Sequence, residues 1–187
     1  MDIDWIVGWF FTFFGLLGNS WVIFIIIKRR RLQTTANWFI LSLAVADLGV
    51  TCGYFPASMI CHVLVDTCKN GVRRVIAVFF IEASAFCLTA MVAERYIAIV
   101  HSLKYVRFFT TTKVVIIIGT CWTVPFHFII CQTISYLARS IPPTAETAIF
   151  NSINTVLFQV LPTIFLFAAH SHILHVSCKL SRETKVL

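Results

Sequence analysis

Five apolar runs divide the chain, over residues 5–27, 38–60, 75–92, 114–134 and 149–169, with short polar gaps between them. Each reaches about the 18–20 residues that a helix needs to cross roughly 30 Å of hydrocarbon at 1.5 Å per residue. Lipid offers the backbone no partner, so every N–H and C=O must be satisfied internally, and the runs are predicted to be helices rather than strands. The third run is predicted to continue as helix through residues 93–100 into the headgroups. With their flanks the spans are expected at about 5–27, 37–62, 71–101, 112–134 and 148–176. There is no internal repeat, low-complexity tract or soluble domain. The expected fold is all-α, a single multi-pass transmembrane domain over residues 1–187.

Composition sharpens that picture. Hydrophobic residues make up 59% of the chain and charged residues 12%, with a mean hydropathy of +0.88. A soluble domain of this size needs far more polar surface to cover its core. The net charge of +7 raises nucleic acid as a partner, but the cations sit in short gaps and not on a folded soluble face. Lys28, Arg29, Arg30 and Arg31 follow the first run, Lys104, Arg107 and Lys113 fill the third gap, and Lys179, Arg182 and Lys185 follow the last run. This bias places the N-terminus outside and the C-terminus in the cytosol, with plasma membrane as the expected location and membrane lipid as a partner. The acidic start, Asp2 and Asp4, is unlike a cleaved signal peptide, so the first span is expected to stay in the mature protein. Cys52, Cys87, Cys121 and Cys131 lie inside apolar runs and read as small buried hydrophobes. No C-x-x-C pair suggests zinc or redox chemistry.

Polar residues within the spans carry the chemistry. Asp47 lies about ten residues into the second helix, about 15 Å deep and near the midplane. An acid there is costly and is expected to face the bundle interior. Gly18 precedes Asn19 in the first helix, where glycine would permit close approach and the amide could then bond across helices. Glu94-Arg95-Tyr96 closes the third helix, just before Ile97-Ala98-Ile99-Val100-His101.

Taken together, Gly18-Asn19, the stretch Leu41-Ser42-Leu43-Ala44-Val45-Ala46-Asp47-Leu48, Glu94-Arg95-Tyr96, Trp122 and Pro162 resemble the rhodopsin-like (class A) G-protein-coupled receptors. The resemblance runs from helix 1 through helix 5 of that seven-helix fold. It implies a receptor that passes an extracellular ligand signal to a heterotrimeric G protein. Arg95 resembles the arginine held at rest by its acidic neighbour, here Glu94, with Tyr96 completing the motif. Leu103 matches the apolar plug of the second cytosolic loop. Asp47 with Ser84 resembles the family's buried sodium site, whose carboxylate and hydroxyl suit a hard cation; no other cofactor is implied. Asn19, Ser42 and Trp122 resemble structural anchors, and Pro162 removes a backbone donor from helix 5 near the pocket. Ala77, Ile81 and Glu82 mark the candidate ligand pocket. Amine receptors carry Asp where Ala77 stands, which argues against a biogenic amine. Glu82 reads either as a contact for a cationic ligand or as a buried hydrogen-bonded acid.

Departures from the family pattern set further expectations. No sixth or seventh apolar run follows, so the signatures of helices 6 and 7 are absent from these residues. A fragment, an incomplete gene model or a truncated form is expected. The alternative is a non-signalling five-span partner that associates with full-length receptors as an oligomer. Cys68 lies near the family's disulfide position, yet residues 135–148 contain no cysteine. An enzyme is not expected: His172 and His175 share a helix face but His170 points elsewhere, a poor three-ligand set. No inverted repeat suggests a transporter. The charge asymmetry yields a test of topology. Glycosylation sites engineered before Asp4 are expected to be modified and those after Lys179 to remain bare; the reverse pattern overturns the orientation.

Overall fold

The computed structural model describes residues 3–64, 70–101, 105, 107–138, 149, 152–153 and 155–183. Within them each apolar run becomes a helix and no strand forms. Helix α1 covers Ile3–Lys28, α2 Thr35–Leu64, α3 Asn70–Val100, α4 Thr111–Ala138 and α5 Leu161–Glu183. All five are long and apolar enough to cross a membrane.

The ends are set by local hydrogen bonds. At the end of α1, Lys28 occupies the last turn and the Gln33 side-chain amide donates to the Ile27 carbonyl at 3.1 Å. A 3-10 turn, Arg30–Leu32, reverses the chain. The Asn37 side chain then donates to the Leu32 carbonyl at 2.7 Å, fixing the angle at which α2 departs. Short connections of this kind make neighbouring helices antiparallel. A π-helical turn, Val156–Val160, leads into α5, where the Leu161 N–H reaches back to the Val156 carbonyl. Pro162 supplies the cause. It has no N–H to give the carbonyl of residue 158, and its ring would clash there, so the turn widens by one residue.

α3 sits at the centre, packed against α2, α4 and α5, while α1 leans on α2. Burial follows that order: 28% of the α3 span is buried against 6% of the α5 span. The outer faces carry large apolar side chains such as Phe10, Phe11, Phe13, Phe14, Ile116 and Phe167. Water would penalise such a surface, but hydrocarbon does not.

Helices in lipid gain little from burying apolar surface against each other, so small residues and polar bonds decide where they meet. A Cβ on Gly49 would overlap the Phe80 ring of α3. A Cβ on Gly15 would come within 3.0 Å of the Thr51 hydroxyl of α2. α1 is thus close-packed on α2 at Gly15, and not at Gly18 as the sequence suggested, since a Cβ there would meet nothing within 4 Å. The two glycines lie three residues apart on neighbouring sides of α1, and only Gly15 comes against an α2 side chain. Gly49→Val is expected to destabilise the bundle by about 1–3 kcal/mol through overpacking, whereas Gly18→Ala should leave it unchanged. Denaturant titration of both variants in detergent micelles reads the contrast, and equal stabilities would overturn the packing argument.

Candidate functional site

Three polar constellations lie along α3, two in mid-span and one at its C-terminal end. In mid-span the Ser84 hydroxyl donates to Asp47 Oδ1 at 2.5 Å, joining α3 to α2. Thr51 donates to the backbone carbonyl of Asp47 at 2.6 Å, one turn further along α2. The acid and hydroxyl named from the sequence are thus brought together, and both are half-buried.

One turn beyond Ser84, a second cluster ties three helices through one hydroxyl. The Trp122 indole N–H of α4 donates to Ser42 Oγ of α2 at 2.9 Å. Ser42 Oγ in turn meets Cys87 Sγ of α3 at 3.2 Å. Phe79 and Phe80 flank the indole, their ring centroids 5.9 and 6.3 Å from it. Cys87 is a partner that sequence reading missed. Its signal was the three-residue spacing from Ser84, which puts both on the α3 face turned to α2. Asn19 does not bridge helices through a described bond: its amide donates to the Gly15 carbonyl of its own helix at 2.9 Å.

At the end of α3, Glu94 is fully enclosed, at 0% exposure, although it is an acid next to a cation. Tyr105, beyond the helix end, donates its hydroxyl to Glu94 Oε1 at 2.6 Å. Arg95 Nε stands 3.5 Å from Oε2, an ion pair without a hydrogen bond, and its side chain is 49% exposed. Adjacent helical residues point about 100° apart, so one faces the bundle and the other its mouth. Burial first, and then donation to the Glu94 carboxylate, raise the Tyr105 phenol above its ordinary pKa; a bond with Thr35 opposes them. The phenol therefore stays protonated, and a donor, throughout the neutral range. Tyr96 is half-buried, with its ring 5.6 Å from the His172 ring of α5.

The remaining candidates are scattered. Ala77 and Glu82 are buried, while Ile81 is 42% exposed. Glu82 Oε2 has no hydrogen-bond partner among the described residues. Pro162 is half-buried directly after the π turn. Leu103 and Cys68 lie outside the described residues.

The family described as 7 transmembrane receptor (rhodopsin family) matches residues 18–185. A QRFP-like peptide receptor of Branchiostoma floridae is 32% identical over 59% of this chain and 30% of its own length. The alpha-1D adrenergic receptor of Sus scrofa is 34% identical over 61% of this chain and 21% of its own. The adenosine receptor A3 of Bos taurus is 29% identical over 60% of this chain and 36% of its own. The chain thus spans only about a fifth to just over a third of the relatives it matches. They are receptors and not enzymes. With a family match across nearly all of its length and five membrane-crossing helices, this chain is a multi-pass membrane protein that belongs to the rhodopsin family of seven-transmembrane receptors.

Proposed function

We propose that the chain supplies the first five helices of a plasma-membrane receptor, N-terminus outside, that passes an extracellular ligand signal to a heterotrimeric G protein. The observation that carries this reading is the enclosed Glu94, held by Tyr105 and facing the half-exposed Arg95. Arginine is a permanent cation with a rigid fork of donors, suited to a restraint that is made at rest and broken on activation. In this reading Arg95 moves from Glu94 to the G protein, and Leu103 supplies an apolar contact to the same partner. Tyr105 holds the carboxylate while the guanidinium leaves.

The extracellular half carries the ligand. Relatives include peptide, adrenergic and adenosine receptors. Ala77 offers no carboxylate for a biogenic amine, so the ligand is drawn from other classes. In mid-span, Asp47 and Ser84 contribute one carboxylate and one hydroxyl oxygen, the hard donors that a sodium ion takes. The hydrogen bond between them, which puts both oxygens between α2 and α3, supports this reading.

Two tests use a receptor completed with helices 6 and 7 grafted from a relative. The Glu94–Arg95 pair is half open to solvent, so its own worth is about 1 kcal/mol or less. Tyr105 holds the carboxylate in both states, so its bond does not bias the equilibrium between them. Glu94→Gln should therefore raise basal nucleotide exchange by up to about fivefold, and Arg95→Ala should lower coupling while ligand binding persists. Unchanged exchange in both variants would sink the coupling role. Separately, Asp47→Asn is expected to remove the sodium dependence of ligand affinity without loss of membrane insertion; a sodium response equal to that of the parent rejects the site.

A further inference from the structure

An exposed face of α1, beside α2, holds a groove that the receptor reading does not use. Ser20, Ile23, Phe24, Ile27 and Lys28 of α1, with Leu48 of α2, line a space of about 570 Å³. The α1 residues fall on one face at helical spacing, and the groove runs along that face. From Ser20 to Lys28 it extends about 12 Å along the axis at 1.5 Å per residue. That is close to one leaflet of a hydrocarbon core roughly 30 Å thick.

Its two ends differ in chemistry. The inner end is closed by Leu48, one residue from the mid-span Asp47, and four of the six lining residues are purely apolar. The outer end carries Lys28, whose ammonium lies 4.9 Å from the Phe24 ring centroid and is thereby held over the groove. Arg29, Arg30 and Arg31 follow at once, all exposed. Among the described residues none of these four cations has a carboxylate within ion-pair distance. The Ile27 carbonyl beside them is already taken by Gln33. The groove thus joins an apolar trough one leaflet deep to an uncompensated cluster of four positive charges.

We propose that this groove seats one anionic phospholipid, with an acyl chain along Ile23, Phe24 and Ile27 and the phosphate between Lys28 and the following arginines. Leaflet depth fits an acyl chain, and the basic mouth fits a headgroup of net negative charge. In the orientation proposed above this is the cytosolic leaflet, the one rich in such lipids. The seat itself depends only on the α1–α2 geometry, so a symmetric bilayer tests it independently of the topology and coupling readings.

The full 187-residue chain in nanodiscs, with spin-labelled phosphatidylserine or phosphatidylcholine as the probe, reads the immobilised fraction of each lipid by electron paramagnetic resonance. Phosphatidylserine should be held preferentially. Lys28→Gln should cut that preference about fivefold, the worth of one basic side chain near an anionic headgroup. Ser20→Phe, which fills the inner end and leaves every charge in place, should also abolish the preference. Lys113→Gln removes an equal charge elsewhere and should change it little. Equal retention of the two lipids overturns the proposal. So does an equal loss in Lys28→Gln and Lys113→Gln, which marks diffuse attraction, or full retention in Ser20→Phe, which leaves the groove without a role. Ser20 and Lys28 are both exposed, so these substitutions leave the bundle interior intact.

Discussion

Hydrocarbon gives a polar side chain nothing to bond with, and the bundle is organised by where its few polar groups find one another. Asp47 meets Ser84, Ser42 meets Cys87, and Trp122 meets Ser42. Two of these contacts end on α3 and all three involve α2, α3 or α4. Backbone groups are already satisfied within each helix, so these side-chain bonds, with the small residues beside them, are what select one helix arrangement over another. Gly49 matters for the same reason: without a Cβ it lets the Phe80 ring lie against α2, just beyond the Asp47–Ser84 joint.

That arrangement also explains the uneven character of the end of α3. Glu94 shares its helix face with Ala83 and Cys87, both buried, whereas Arg95 is turned by one residue toward the opening. A buried carboxylate needs donors, and α3 has none left to give at its C-terminal end. Tyr105 supplies one from outside the helix. The result is an enclosed anion beside a half-exposed cation.

α5 contributes differently. It buries the smallest share of its span and touches the rest mainly along α3, where His172 meets Tyr96. The π turn ahead of Pro162 shifts the register of everything after it by one residue, about 100° of helical rotation. A regular helix would present a different set of side chains to α3. The proline therefore acts on the whole helix through its missing N–H.

Much of this was legible in the sequence because it is local. Hydropathy over about 20 residues marks a span whatever lies beside it, and the depth of Asp47 follows from counting residues at 1.5 Å each. The motif around Glu94-Arg95-Tyr96 and the order of Ser42, Trp122 and Pro162 were enough for the family resemblance. Tertiary structure alone decided the rest. Eleven residues separate Glu94 from Tyr105, about 16 Å in a continuous helix, yet the folded chain brings phenol to carboxylate. Gly15 and Gly18 are alike in sequence, yet only the crossing point of α1 on α2 makes one of them close-packed. Asn19 bonds within its own helix, and Ile81 is exposed where Ala77 is buried, because each depends on which neighbour stands opposite. Hydrogen bonds along a helix and transfer into lipid are properties of one segment, while helix crossing belongs to two surfaces at once and is not written in either alone.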